Sequence, residues 1–366
     1  MNRADCPHCE EYRNAGYMYC GKCGKLLDCF SCNSYRYGNA GHCGSCGRPF
    51  HVTAPPQIKS FSFTRIFGII AAILTSLFLI VDAVALYVHA SDIFLFLSDK
   101  MYGILILIPY PYTFTVISET LLQLYWLFLV AVLTLCFIKL VHETYLYFKN
   151  RKQKNEESLK IEKTGIYWIG LLWPATMFLQ IVVLYAAILF FGVDFTVPDM
   201  DMDQLALMFV LADASVWEEL ITRVLIIGVP LLLMALAKGK TDFWKYPLGG
   251  FGVDKLSMGL IVIAALVFGY GHEAGWGMAK VIPAFIFGLA AGYLFVEYGL
   301  YAAILLHFVN DYVSAYTWLG GSEAVLGIGT LAILAVGVLA TVVLAVKMWG
   351  FLKDFKNRPP YPKGLE

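Results

Sequence analysis

Residues 204–237 read QLALMFVLADASVWEELITRVLIIGVPLLLMALA, an apolar stretch that is interrupted by Glu218, Glu219 and Arg223. A helix needs about 20 predominantly apolar residues to cross the hydrocarbon core of a bilayer. The stretch is longer than that, so it predicts a membrane-spanning helix.

Similar apolar stretches recur along the chain, which is 59% hydrophobic and only 15% charged. A soluble domain carries about 25% charged residues. The sequence therefore predicts an all-α polytopic membrane protein with about eight transmembrane helices. These are expected at about 65–89, 117–141, 165–190, 204–237, 256–273, 280–297, 299–318 and 323–349. The stretch 92–116 is also apolar, but Pro109 and Pro111 interrupt it, so we expect a loop or re-entrant segment at the membrane surface.

Positive charge is distributed unevenly between the predicted loops. Nineteen Lys and Arg residues fall in alternate loops and in the tail from residue 347, whereas the other loops hold only Lys100 and Lys280. Cytoplasmic loops of membrane proteins carry the excess of Lys and Arg. The count predicts an integral protein of the cell membrane with both termini in the cytosol.

The N-terminal segment contains four C-x-x-C pairs, and the second two repeat the first two at an offset of 23 residues. Two such pairs bring four thiolates onto one tetrahedral zinc ion. About 23 residues build no hydrophobic core, so metal binding must supply the folding energy. Residues 1–50 are therefore predicted to form a double zinc ribbon with two structural ions. The ligands are Cys6, Cys9, Cys20, Cys23, Cys29, Cys32, Cys43 and Cys46.

Other uses of these cysteines remain open, namely a disulfide framework and a redox C-x-x-C, although a cytosolic location favours metal. Four thiolates on each zinc add negative charge, so the ribbons are not basic, and a protein partner is expected instead of nucleic acid. A linker at 51–64 with Pro55 and Pro56 leads to the transmembrane domain at 65–350, and a cytosolic tail follows at 351–366.

The charged residues inside the predicted spans are the candidates for function. Charged groups at membrane depth are costly, and they usually pair or line a polar cavity. Glu219 and Arg223 lie at i,i+4 on one helix face, so they are expected to form an ion pair. Glu218 points about 100° away and finds no partner on its own helix.

Two more predicted spans contribute His272, and His307 with Asp311 at i,i+4. If these groups meet Glu218 in one buried pocket, the site suits water activation. A carboxylate would act as base, and imidazoles would orient the water or stabilise an oxyanion.

These three segments resemble the motifs of the CAAX-processing and bacteriocin-processing (CPBP, Abi-type) family of intramembrane endopeptidases. They occur in the family's order on separate helices, in a core of about 204–318. The matching residues are Glu218, Glu219 and Arg223 for EExxxR, Phe268 and His272 for FxxxH, and His307 and Asp311 for HxxxN/D.

The resemblance implies that Glu218 and His272 activate the water, and that His307 and the last motif residue stabilise the oxyanion. Glu219, Arg223 and Phe268 would support them. This chain has Asp311 where many members have Asn, so Asp311 would be protonated or would orient His307. The adjacent Asn310 is an alternative donor. The resemblance also implies a peptide or protein substrate in or at the lipid membrane, prenylated or not.

Other functions remain open at this stage. The chain is alternatively a catalytically silent membrane scaffold whose ribbons recruit a partner, or a transporter that uses the buried charges as a relay. A catalytic metal held by the carboxylates and histidines is a further alternative. The sequence contains no HExxH motif of a zincin.

The Lys and Arg distribution predicts on which side of the membrane a reporter fused to each loop will lie. Fusions after residues 100, 200 and 321 are expected to be external, and fusions at 155 and 245 cytosolic. A paired enzymatic reporter, active on one side of the membrane only, measures this. An external signal at residue 155 would contradict the predicted topology and the cytosolic location of the ribbons.

Overall fold

The computed structural model describes residues 6–15, 17–27, 45, 63–106, 111–151, 161–193, 202–362 and 365. The chain divides into two compact units, Met1–Ser62 and Phe63–Glu366. They are called here the ribbon unit and the membrane unit.

Among its described residues, the ribbon unit contains one short helix, α1 (Cys9–Asn14), after the first cysteine of the first pair. An antiparallel bridge joins Tyr19 to Leu26 and closes a turn that contains the second pair. Gly24 in this turn has a φ of 69°, a conformation that favours glycine because it has no Cβ. The second predicted ribbon lies outside the described residues, with its ligands Cys29, Cys32, Cys43 and Cys46.

Long helices dominate the membrane unit. Their bounds are α2 (Phe63–Phe96), α3 (Glu119–Arg151), α4 (Gly165–Phe191), α5 (Gln204–Ala237), α6 (Lys255–Gly271), α7 (Val281–Glu297), α8 (Leu300–Asp311) and α9 (Glu323–Phe355). Within the described ranges, seven helices are long and apolar enough to cross a membrane. The prediction of an all-α polytopic membrane protein is confirmed.

Short helical segments connect the long helices. The 3-10 turns are Leu97–Asp99, Ile161–Lys163, Met278–Lys280 and Tyr312–Ser314. The short α-helices are Lys245–Leu248, Glu273–Trp276 and Ala315–Trp318.

Helix α8 differs from the span predicted at 299–318. It has 12 residues and therefore a length of about 18 Å, which is less than the hydrocarbon thickness of about 30 Å. All residues from Tyr301 to Val309 are buried. The chain then continues through the 3-10 turn and the short helix up to Trp318. α8 is thus a buried helix that packs between the spans.

A β-hairpin takes the place of part of the loop or re-entrant segment predicted at 92–116. α2 extends to Phe96, and strands β1 (Met101–Ile106) and β2 (Tyr112–Ser118) then pair antiparallel. Both strands are rich in β-branched and aromatic residues, which favour strands. Pro109 and Pro111 indicate only that a helix is interrupted, whereas the composition on either side of them favours strands.

Helices α6 and α7 approach each other closely at Gly288. A Cβ at this position would lie 2.9 Å from the Cα of Ala265 on α6. Small residues allow the backbones of membrane helices to come together in this way. The contact brings α6, which leads to His272, against α7.

This close contact predicts that a methyl group added at Gly288 destabilises the protein. Gly288→Ala should lower stability by about 1–3 kcal/mol, because the added Cβ meets backbone that has no room to move. Gly259→Ala on α6 is the matched control, since a Cβ there meets no atom within 4 Å. Thermal unfolding in detergent measures both variants. Equal stability of the two variants would contradict the inferred close packing.

Candidate active site and metal-binding cysteines

Helix α5, which carries the two glutamates, departs from α-helical geometry around them. Residues Ala214–Glu218 and Leu220–Gly228 are π-helical. The hydroxyls of Ser215 and Thr222 donate to the carbonyls of Leu211 and Glu218 over 2.7 and 2.5 Å. Such back-bonds often bend helices, and π-turns occur frequently at functional sites.

Glu219 and Arg223 form the ion pair that their spacing predicts. The Nε of Arg223 lies 2.9 Å from Oε2 of Glu219, and its Nη2 lies 3.5 Å from Oε1. Both side chains are fully buried. The guanidinium also lies over the ring of Phe268, with 5.3 Å between Cζ and the ring centroid. Phe268 therefore covers the cation, as a supporting residue would.

Glu219 has a second partner that the sequence did not assign to it. Its Oε1 lies 2.9 Å from Nδ1 of His307 on α8. A carboxylate only accepts, so Nδ1 of His307 carries the proton of this hydrogen bond. Arg223, Glu219 and His307 thus form one buried network between α5 and α8.

Glu218 faces the two histidines. Its Oε2 lies 3.9 Å from Nε2 of His272 and 3.9 Å from Nε2 of His307. Among the described residues, this buried oxygen has no hydrogen-bond partner. The side chain of Glu218 is 22% exposed, whereas that of Glu219 is fully buried. Glu218 is thus the glutamate that is accessible from outside the protein core.

The tautomer of His272 follows from its backbone contact. Its Nδ1 lies 2.8 Å from the carbonyl oxygen of Phe268, which only accepts hydrogen bonds. Nδ1 therefore carries a proton, and in the neutral ring Nε2 is an acceptor that faces Glu218. The rings of Phe268 and Phe287 pack against His307 at centroid distances of 5.8 and 5.0 Å. These contacts fix the orientation of the imidazoles.

Asp311 approaches His307 from the same helix. Its Oδ2 lies 3.4 Å from Nε2 of His307, and its Oδ1 accepts from the Nδ2 of Asn310 over 3.2 Å. The amide of Asn310 is thus directed to Asp311, while Asp311 contacts the histidine. This geometry is consistent with an orienting role for Asp311.

The structure also adds residues that the sequence analysis missed. Phe287 packs on His307, and Lys280, expected in an outer loop, lies within electrostatic range of Glu218 and Asp311. Asp213 on α5 is buried near Glu218, and Asp82 on α2 is buried as well. Both Asp residues fall inside predicted spans, so their positions in apolar stretches are the sequence signal that marks them. Phe287 had no comparable signal in the sequence.

The first four cysteines meet in the ribbon unit. The Sγ atoms of Cys6 and Cys20 lie 3.8 Å apart, and those of Cys9 and Cys23 lie 3.5 Å apart. Four sulfurs bound to one zinc at about 2.3 Å, at tetrahedral corners, are about 3.8 Å apart. The cluster therefore has the dimensions of a four-thiolate metal site.

This cluster differs from the acidic site in the membrane. In the described part of the chain, it is the only group of three or more His, Cys, Asp or Glu whose ligand atoms all lie within 4.8 Å of one another. The group of Glu218, His272, His307 and Asp311 is more open. The identity of the metal and a second ion in the other ribbon remain predictions.

The segment that carries the candidate site is similar to a known protein family. Residues 202–313 match the family model of type II CAAX prenyl endopeptidase Rce1-like proteins. The matched segment runs from the start of α5 to just after α8, and it contains every candidate catalytic residue. No curated protein and no solved structure matches this chain.

The cysteine geometry predicts zinc in the ribbon unit. The purified chain should contain about two zinc ions, and a Cys6→Ser/Cys9→Ser variant should contain about one, because a site with two of four ligands loses most of its affinity. Elemental analysis measures both proteins. The Cys29→Ser/Cys32→Ser variant is the matched test of the second ribbon. Unchanged zinc content in the first variant would contradict the assignment of its ligands.

Proposed function

We propose that the chain is an intramembrane endopeptidase in which Glu218 activates water, and the match of residues 202–313 to the type II CAAX prenyl endopeptidase Rce1-like family supports this proposal. The substrate is a membrane-associated polypeptide. The scissile peptide bond reaches Glu218 at or within the bilayer.

The observation that carries this proposal is the convergence of three groups from three helices. The Oε2 of Glu218 lies 3.9 Å from the Nε2 atoms of both His272 and His307. This distance is too long for a direct hydrogen bond but suits a bridging water molecule. A water in this position would contact a carboxylate base and two imidazoles at once.

In the first step, the water oxygen bonds to the carbonyl carbon of the peptide, and Glu218 takes the proton. The neutral tautomer of His272 accepts through Nε2, so it orients the water by accepting its second hydrogen. Glu218 has no hydrogen-bonding partner on α5 that competes for Oε2. Its carboxylate is therefore available as a general base.

The addition places negative charge on the former carbonyl oxygen. His307 is suited to stabilise this charge, because Glu219 holds its Nδ1 and leaves Nε2 directed toward Glu218. When doubly protonated, the ring donates from both nitrogens, and Glu219 and Asp311 compensate its positive charge. Donors directed at a developing oxyanion are usually among the largest contributions to catalysis.

In the second step, the tetrahedral intermediate collapses and the C–N bond breaks. The leaving amine takes the proton that Glu218 received from water. One peptide bond and one water thus become a carboxyl group and an amine, and the enzyme returns to its initial state.

The family supports a prenylated polypeptide as substrate. The matching family is described as type II CAAX prenyl endopeptidase Rce1-like, and such an enzyme cleaves prenylated polypeptides. An apolar modification would hold the substrate at the membrane, where Glu218 lies on a membrane-spanning helix. The same chemistry would also cleave unmodified membrane peptides.

Glu218→Gln tests the proposed function. Turnover of the purified full-length chain should fall at least about a hundredfold, because glutamine keeps the size of the side chain but is no base. Peptides with and without a prenyl group are the substrates, and product formation is measured by mass spectrometry. Glu323→Gln, at an exposed glutamate at the start of α9, is the matched control and should keep full activity. Wild-type turnover in Glu218→Gln would rule out the proposed mechanism.

Two companion measurements separate the neighbouring roles. Glu219→Gln should lower thermal stability, since a broken buried pair costs about 3–5 kcal/mol, and turnover should fall with it because His307 loses its partner. The chelation test uses a chain without residues 1–50, because the ribbons are expected to hold zinc in any case. Activity of this chain that a chelator removes and added metal restores would support the catalytic-metal alternative instead. Activity that survives chelation supports water activation by Glu218.

A further inference from the structure

Asp213 lies on α5, five residues before Glu218, and it holds two tyrosine hydroxyls. The hydroxyl of Tyr102 on β1 donates to Oδ2 over 2.6 Å, and the hydroxyl of Tyr125 on α3 donates to Oδ1. The Asp213 side chain is buried, with 7% of the residue exposed. These three residues are called here the Asp213 cluster.

The Asp213 cluster joins three separate elements. Hydrogen bonds with an ionised acceptor are about twice as strong as those between neutral groups. Through two of them, Asp213 holds the hairpin by Tyr102 and helix α3 by Tyr125. A two-stranded hairpin is at best marginally stable alone, so this hairpin depends on such contacts.

A second contact ties the hairpin to α5 from within the π-helical turn Ala214–Glu218. The Nε1 of Trp217 donates to the carbonyl oxygen of Leu105 over 2.6 Å. Asp213 and Trp217 thus hold β1 at its two halves, and Glu218 follows directly in the chain. Any movement of the hairpin away from α5 would have to break both contacts.

The segment that follows Asp213 and contains Trp217 departs from α-helical geometry. Residues Ala214–Glu218 are π-helical, and in a π-helix the hydrogen bond runs between residues five apart. Asp213 and Glu218 have this spacing, and their carboxyl groups lie within electrostatic range of each other. The orientation of Glu218 therefore depends on a turn that begins at Asp213.

We propose that Asp213 is a positioning residue of the active site, which acts through the hydroxyls of Tyr102 and Tyr125 to hold the π-helical turn and thereby direct Glu218 toward His272 and His307. This inference rests on the proposed function of Glu218. Asp213 itself touches neither the water nor the substrate in this scheme.

A positioning role differs from a general contribution to folding in its kinetics. A displaced catalytic base slows the chemical step, so kcat falls while KM stays nearly the same. A misplacement of about 1 Å can reduce the rate about a hundredfold. Because Asp213 acts through the two hydroxyls, removal of the hydroxyls and removal of the carboxylate should not have additive effects.

Three variants test the role in the full-length protein. Asp213→Asn removes the charge, and Tyr102→Phe/Tyr125→Phe removes both hydroxyls while the rings keep their contacts with Phe209 and Trp217. The third variant combines all three changes. Tyr87→Phe is the matched control, because its hydroxyl also joins two helices, through Thr134 over 2.7 Å, but at an exposed place elsewhere in the unit.

We expect kcat to fall at least about tenfold in each of the three variants, with KM within about twofold of the wild-type value. The triple variant should be no slower than Asp213→Asn, and Tyr87→Phe should be as active as wild type. An unchanged kcat, a change in KM alone, or multiplicative effects in the triple variant would overturn the proposal. If Asp213→Asn does not fold, the double tyrosine variant decides, since it retains the aspartate and both rings.

Hydrogen exchange separates this proposal from the proposed function. Amides of β1 should exchange at least about tenfold faster in Asp213→Asn and in the double tyrosine variant than in wild type, because the hairpin opens more often. Tyr87→Phe should show no change. Wild-type protein without turnover would overturn the proposed function itself. Faster exchange would then still support the role of Asp213 in holding the hairpin, and unchanged exchange would overturn it.

Discussion

The ion pair between Arg223 and Glu219 is the interaction on which the site depends. Both side chains are fully buried within a membrane-spanning helix, where an uncompensated charge is very unfavourable. Because Arg223 has its charge partner on the same helix, it needs none from lipid or water. The carboxylate of Glu219 then has capacity left for His307 on α8. Glu219 thus balances the charge of Arg223 within α5 and also joins α5 to α8 through His307.

This contact explains why two adjacent glutamates differ in their environment. Glu219 is saturated by Arg223 and His307, whereas the Oε2 of Glu218 has no hydrogen bond within the described ranges. A carboxylate that serves as a base needs an oxygen without a hydrogen bond inside the protein. A carboxylate that orients a histidine must instead be hydrogen-bonded to it. The i,i+1 spacing turns the two carboxylates to different sides of α5, so one motif provides both environments.

The candidate site extends beyond the three helices that carry its motifs. The hairpin between α2 and α3 is bound to α5 through Asp213, which precedes the π-helical turn, and through Trp217, which lies within it next to Glu218. Elements outside the matched segment 202–313 therefore contact the helix at its centre. The ribbon unit is a separate compact body, whose four described cysteines have the dimensions of a structural metal site.

The amino-acid sequence by itself determined the membrane class, the positions of the long helices and the residues of the candidate site. These follow from patterns that are local in the chain. They are the length of the apolar runs, the i,i+4 spacing of Glu219 and Arg223, and the C-x-x-C spacing that lets two thiolates bind one zinc ion. The tertiary structure alone decided that Glu219 also binds His307, that α8 is a buried helix, and that Tyr102 and Tyr125 meet Asp213. Those contacts join residues that lie about ninety or more positions apart. Periodicity along one helix sets which face a side chain occupies, but the neighbour on that face is set by how the helices pack.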